Sequence, residues 1–105
     1  MNTFGQKIRS FRETDNLLLR EVAAAIEIDQ ALLSKIERSE RIATKKQVLA
    51  LSDFFGVDTK ELLTLWLGEK IADEIENEEV AHEALRVAEE TIKYRTNQKE
   101  KKLHV

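Results

Sequence analysis

A run of hydrogen-bonding side chains with helical spacing offers the clearest candidate chemistry in this sequence. Gln30, Ser34 and Lys35 supply an amide, a hydroxyl and an ammonium group, and Ala31 adds a methyl group beside them. An amide can bond to adenine N6 and N7, an ammonium group can donate to guanine O6 and N7, and a methyl group can pack on thymine. The same set is compatible with an ordinary solvated helix face, and spacing alone does not separate the two interpretations.

The residues that usually perform catalysis or bind metals do not form a recognisable set. The chain has no cysteine, and its two histidines, His82 and His104, are far in sequence from Ser34. A glutamate precedes His82 by four residues, but two such ligands on one helix are more typical of a solvated surface than of a metal site. No glycine-rich phosphate loop, catalytic triad or carboxylate pair is evident. We therefore expect a protein that is not an enzyme and needs no cofactor or metal.

Two short helices joined by a sharp turn must position these polar side chains. The stretch Leu18–Arg38 reads LLREVAAAIEIDQALLSKIER. Apolar spacing predicts a first helix over Arg20–Ile26, and Asp29 is a suitable N-cap for a second helix that runs to the end of the stretch. Glu27 and Ile28 leave room only for a tight turn. This is the helix-turn-helix arrangement, whose second helix can enter the major groove of DNA.

The stretch resembles the phage repressor/Cro-like (XRE-type) helix-turn-helix family, and the likeness extends from about Phe4 to Leu65. The resemblance implies an all-α, five-helix repressor-like bundle that binds double-stranded DNA. It implies base contacts from the exposed start of the second helix and from its next turn, at Gln30, Ala31, Ser34 and Lys35. Phosphate contacts would come from flanking cationic side chains, which are Arg20, Arg38, Arg41, Lys45 and Lys46.

The resemblance also implies a structural ion pair between Arg12 and Glu37 that links the first helix to the recognition helix. Three residues depart from the family pattern. Glu27 stands where the turn usually has glycine, so a left-handed backbone there would cost about 1 kcal/mol. Leu19 replaces the usual polar cap of helix 2, and Ala43 replaces a frequent proline. These departures concern turn geometry and stability more than the base-reading surface.

The rest of the bundle is predicted from composition and capping residues. With no proline and three glycines in 105 residues, the composition is typical of an all-helical protein. Capping residues and apolar spacing predict helix 1 over Thr3–Thr14 and helix 4 over Lys45–Phe55. Gly56 is expected to end helix 4 in a left-handed conformation, and helix 5 begins at Asp58 or Thr59.

The C-terminal part of the chain extends beyond the family resemblance. The helix-turn-helix domain is expected to cover residues 1–66. In residues 67–96, the apolar spacing predicts one long helix, or two with a break near Asn77. This stretch has more apolar side chains than the bundle can bury, so packing against a helix of a second copy is the simplest explanation. The alternative is that the segment folds back onto its own bundle. The expected dimerisation residues are Trp66, Leu67, Ile71, Ile75 and Leu85. Residues 97–105 are expected to form a charged flexible tail.

Charge is distributed unevenly along the chain, which bears on its partners. The net charge is −3 overall, but +2 over residues 1–47 and −7 over residues 48–97. A basic front half suits DNA phosphates, and the acidic C-terminal helix could bind a basic protein such as a toxin. No apolar run is long enough to span a membrane and the N-terminus is unlike a signal peptide, so we expect a cytoplasmic protein.

These patterns favour a homodimeric, sequence-specific transcriptional regulator that reads a (pseudo)palindromic operator through the helix starting at Gln30. Repression by promoter occupancy is the simplest mode of action. An antitoxin or a restriction–modification controller that regulates its own operon fits the same residues. The alternative from another class is a protein–protein adaptor that keeps the bundle and has lost DNA binding.

Overall fold

The computed structural model describes residues 3–103, which contain six α-helices and no strand. The helices are α1 (Phe4–Thr14), α2 (Leu19–Ala25), α3 (Gln30–Glu37), α4 (Lys45–Phe55), α5 (Thr59–Ile75) and α6 (Ala81–Leu103). The expected all-α class is confirmed. The described residues fall into two compact units that divide between Asp73 and Glu74.

Reciprocal hydrogen bonds between side chain and backbone start two of the helices. Thr3 Oγ1 accepts the Gln6 N–H at 3.1 Å, while Gln6 Oε1 accepts the Thr3 N–H at 2.9 Å. Thr44 and Gln47 repeat this capping box at the start of α4, with distances of 3.2 and 2.9 Å. The predicted caps of α1 and α4 are therefore confirmed.

The two helices of the motif begin differently from the prediction. Helix α2 begins at Leu19 with Leu18 as its N-cap, so Leu19 belongs to the first turn and is not the cap. Leu18 has no acceptor in its side chain, so only one half of a capping box is present here: Glu21 Oε1 accepts the Leu18 N–H at 2.9 Å. Asp29 is the N-cap of α3, but among the described residues its side chain makes no capping hydrogen bond. Helix α2 therefore starts with half of a capping box, and α3 starts without a side-chain cap.

Left-handed residues follow each of the first four helices. The φ angle is 55° at Asn16, 58° at Glu27 and 62° at Ser39. Glu27 thus adopts the left-handed conformation that glycine usually supplies at this turn, at a cost of about 1 kcal/mol. Helix α4 ends with less strain, because Gly56 adopts φ 64° as predicted.

Helices α1 to α5 and the loop before α4 enclose one hydrophobic core. Its buried apolar residues are Phe4, Ile8, Val22, Ala23, Leu33, Ile36, Ala43, Val48, Leu51, Leu62 and Trp66. Phe11 and Phe55 cover this core, with ring centroids 5.5 Å apart. The periodic apolar residues of the sequence thus converge on a single interior.

Trp66 belongs to this core and not to a free surface. Its side chain is buried, and its indole N–H donates to the carbonyl oxygen of Ala43 at 2.7 Å. Burial and a satisfied N–H account for the residue within the bundle. Trp66 therefore leaves the set of candidate dimerisation residues, because apolar spacing alone could not distinguish a core side chain from an interface side chain.

The C-terminal segment consists of two helices separated by residues 76–80, so the broken arrangement is the one observed. Helix α6 continues to Leu103, and residues 97–103 of the expected flexible tail are helical. This stretch has no glycine or proline, and lysines in its last turn complement the negative end of the helix. His104 lies outside the described residues. Among the described helices, none combines the length and apolarity that crossing a bilayer requires.

Candidate nucleic-acid interface

Helix α3 has one buried face and one open face. Leu33, Ile36 and Glu37 are buried, which fixes the opposite side of the helix outward. That outward side carries the four predicted base-contact residues, Gln30, Ala31, Ser34 and Lys35. Ser34 is half-buried and the other three are exposed. The helix therefore presents an amide, a methyl group and an ammonium group to solvent.

An ion pair fixes the buried face of α3 to α1. Arg12 Nε and Nη2 donate to the two carboxylate oxygens of Glu37 at 2.8 and 2.9 Å. The pair is largely shielded from water, since the side chains of Arg12 and Glu37 are 16% and 5% exposed. Arg12 Nη1 also donates to the carbonyl oxygen of Leu17 at 3.1 Å. One guanidinium thus holds α1, α3 and the segment that leads into α2.

This cation remains charged at any working pH. The hydrogen bond to Glu37 raises the pKa of Arg12 above its ordinary value and outweighs desolvation, which acts in the opposite direction. The planar fork of the guanidinium matches a carboxylate in a way that lysine cannot reproduce. The orientation of α3 relative to α1 is therefore fixed by geometry as well as by charge.

The backbones of α1 and α3 also touch directly at Gly5. A Cβ atom at Gly5 would lie 2.2 Å from the carbonyl oxygen of Ile36 and 2.7 Å from that of Glu37. The Thr3 and Ser39 hydroxyl groups hydrogen-bond beside this contact at 3.1 Å. The sequence-based prediction missed Gly5, although a glycine inside a predicted helix is a recognised sign of close packing.

Exposed cationic side chains flank α3 in sequence. These are the predicted phosphate-contact residues Arg20, Arg38, Arg41, Lys45 and Lys46. Arg20 lies in the first turn of α2, and Lys45 and Lys46 are the first two residues of α4. Arg38 Nη2 lies 3.1 Å from Glu40 Oε2, an exposed pair worth at most about 1 kcal/mol, so this guanidinium can exchange partners.

Residues with potential for other chemistry do not assemble within residues 3–103. No group of three or more histidine or acidic side chains in that range could hold a metal ion. His82 is an exposed residue of α6. The helix pair with its polar outer face is the feature of this range that the sequence and the geometry both single out.

The fold and this site define a helix-turn-helix protein. Residues 8–62 match the profile of the family described as Helix-turn-helix, which is just over half of the chain. The chain belongs to this family and is a DNA-binding transcription regulator of the XRE type. A search of the curated proteins finds no significant match.

Several solved structures share the fold. The restriction-modification controller protein C.AhdI from Aeromonas hydrophila is 25% identical, covers 56% of this chain and 89% of its own, and gives a TM-score of 0.53. The clp gene regulator ClgR from Corynebacterium glutamicum is 22% identical over 91% of this chain and 88% of its own, with a TM-score of 0.54. A chain of the SinR/SinI protein complex is 24% identical over 90% of this chain and 99% of its own, also at 0.54.

Proposed function

We propose that the protein is a homodimeric, sequence-specific repressor that reads its operator through α3. The observation that carries the proposal is the combination of an outward polar face on α3 with a buried face anchored by Arg12 and Glu37. An anchored helix holds its hydrogen-bonding groups in a fixed array, which direct readout of base edges requires. Occupancy of a promoter would repress transcription without any catalytic step.

The start of α4 supports a phosphate contact next to α3. Lys45 and Lys46 lie at the positive end of a helix, where cations are unfavourable by about 0.3–1 kcal/mol each. A DNA phosphate would offset this local repulsion and accept hydrogen bonds from the same helix end. Arg20, Arg38 and Arg41 would add further contacts, which position the protein but carry no sequence information.

Replacing Gln30 or Lys35 by alanine is expected to lower affinity for the selected operator about tenfold or more, because each good base contact contributes about 1–3 kcal/mol. Operators would be obtained by selection from random duplexes, and affinities measured by gel-shift titration. Non-specific affinity should remain close to wild type in Gln30→Ala.

Replacing Lys45 by alanine should weaken binding to all DNA sequences. The slope of log affinity against log salt concentration should fall in magnitude by about one from an initial value of about −4 to −5.

The control for these variants is Lys60→Ala, which removes an exposed lysine from α5, away from α3 in sequence. It should leave operator affinity unchanged. Saturable operator binding that survives both Gln30→Ala and Lys35→Ala would contradict readout through α3. Complete lack of salt-sensitive binding by the wild-type protein would instead favour the adaptor alternative.

Apolar residues on the outer side of α5 support dimerisation. Leu67 and Ile71, one turn apart, are 49% and 42% exposed. Ile75 is half-buried, and Leu85 is an exposed residue of α6. Two exposed aliphatic side chains at helical spacing are suited to packing against a second helix. We therefore assign the dimer contact to Leu67 and Ile71, and keep Ile75 and Leu85 as separate candidates for contact with a second copy.

The double substitution of Leu67 and Ile71 by glutamate is expected to convert the dimer to a monomer, since it would place charges in the proposed apolar contact. Affinity for an operator with two half-sites should then fall about a hundredfold, because the second half-site is no longer bound by a linked subunit. Sedimentation velocity and gel-shift titration would measure the two effects. Leu49→Glu, at a similarly exposed leucine of α4, is the control for the oligomeric state. A dimer that persists in the double variant would rule out this contact.

A second role is favoured by the comparison with C.AhdI, which is a restriction-modification controller protein. Control of its own operon, as a controller or as an antitoxin, would use the same DNA-binding face. The SinR/SinI structure is a complex of two proteins. Residues 67–96 here carry nine acidic and four basic side chains and would suit a basic partner, whereas α6 as a whole, with six basic and four acidic side chains, is not an acidic helix. Co-purification with the product of a neighbouring gene would support this role, and recovery of the protein alone would support the simple repressor.

A further inference from the structure

The start of α1 is held by a carboxylate far along the chain. Glu69 Oε2 accepts the backbone N–H of Phe4 at 2.7 Å, across 65 positions of sequence. The first N–H groups of a helix lack partners within the helix, and an anion near them is stabilising. Thr3 satisfies the N–H of Gln6, so the first turn of α1 is capped by its own N-cap and by α5. Glu69 therefore ties this turn to α5.

The same turn of α1 is in close backbone contact with the end of α3. At Gly5 there is no space for even a methyl group against the carbonyl oxygens of Ile36 and Glu37. A cleft of about 50 Å³ at this point has Phe4, Gly5, Ile36 and Glu69 among its walls, so the three helices meet in one place. Because interiors are closely packed and transmit displacement, a shift of the first turn would also displace the end of α3.

We propose that Glu69 is a positioning residue that sets the placement of the recognition helix relative to α5. This rests on the proposed function, in which Leu67 and Ile71 on the same stretch of α5 form the dimer contact. Glu69 lies between them in sequence and bonds to the turn that contacts α3. The distance between the two recognition helices of a dimer, and hence the preferred half-site spacing, then depends on this hydrogen bond.

Binding to two DNA probes tests the proposal. One duplex carries two selected half-sites at their natural spacing, and the other carries a single half-site. Glu69→Ala should reduce the affinity ratio between the two probes about tenfold, because misplaced recognition helices cannot engage both half-sites at once. Glu69→Gln retains an oxygen acceptor and should recover most of the ratio. Glu74→Ala removes the same charge from an exposed position of α5 and should leave the ratio unchanged.

Amide spectra and the oligomeric state supply readouts that do not depend on DNA. Glu69→Ala should shift the amide resonance of Phe4 and those of Ile36 and Glu37, with hydrogen exchange faster at Phe4 and the dimer intact in sedimentation. Glu69→Gln should leave the resonances at the end of α3 close to wild type. This outcome, with the altered probe ratio, supports the positioning role.

Two results would overturn the positioning role. A change at Phe4 with no change at Ile36 or Glu37 would make Glu69 a local helix cap. An unchanged probe ratio in Glu69→Ala would likewise show that the bond does not set the spacing. Failure of the proposed function would give a different result, because the wild-type protein would then bind neither probe. The amide resonances of Ile36 and Glu37 would still shift in Glu69→Ala and would report the link between Glu69 and α3.

Discussion

Replacement of Gly5 by alanine should destabilise the protein by about 3 kcal/mol, even though alanine normally favours a helix over glycine by about 1 kcal/mol. The added Cβ would lie 2.2 Å from Ile36 O and 2.7 Å from Glu37 O, which are backbone atoms that cannot rotate away. α1 and α3 must then separate, and the separation would also strain the Arg12–Glu37 pair. Urea titration followed by circular dichroism would measure the loss.

The other glycines provide the controls for this result. Gly68 lies in α5 with no described atom within 4 Å of its added Cβ, so Gly68→Ala should stabilise the protein by up to about 1 kcal/mol. Gly56 has open space but a φ of 64°, so Gly56→Ala should cost about 1 kcal/mol. A Gly5→Ala protein as stable as wild type would show that α1 and α3 are not in close backbone contact.

Arg12→Met should destabilise the protein by about 3 kcal/mol, because it leaves the buried Glu37 carboxylate without its partner. The expected fall in Tm is more than about 10 °C for a protein of this size. The pKa of Arg12 is higher in the folded protein than in the unfolded chain. The stabilisation that results is fully present below the unfolded-state pKa, and it is lost only as pH rises through the folded-state pKa. The part of the stability difference between wild type and Arg12→Met that arises from Arg12 ionisation should therefore be constant across the neutral pH range.

Two variants show whether burial is the reason for this effect. Arg9 lies on the same helix and pairs with Glu13 at 2.6 Å, but both side chains are more than half exposed. Arg9→Met should therefore cost less than about 1 kcal/mol. Combining Arg12→Met with Glu37→Met should restore part of the lost stability, since no buried charge then remains unpaired. Equal losses in the Arg9 and Arg12 variants would contradict a special role for the buried pair.

Features encoded by neighbouring residues were predictable from the sequence. The cap at Thr44 and the left-handed Gly56 involve groups within a few positions of each other, and local chemistry determines them. The inward positions of α3 follow from a period of 3.6 residues, so Leu33 and Ile36 could be placed in the core. The outward polar face of α3 followed from the same period.

Features that depend on distant residues could not be read from local patterns. Glu69 is one of many acidic residues in its part of the chain, and nothing nearby in sequence marks its bond to Phe4. Trp66 was expected at an interface because its apolar neighbours exceeded the apparent capacity of the bundle, yet the carbonyl of Ala43 provides its partner in the core. The pairing of Arg12 with Glu37 was anticipated through family resemblance, since 25 positions separate the two residues.

The burial of Trp66 also gives the molecule an intrinsic optical probe. The chain contains a single tryptophan, so all indole emission originates from one site in the core. The ring is bonded to the loop that carries Arg41 and leads into Lys45, and its emission is therefore sensitive both to entry of water during unfolding and to movement of that loop. Folding can be followed in the unlabelled protein from this fluorophore, and its emission should also change when a nucleic acid binds at the proposed phosphate contacts of Arg41 and Lys45.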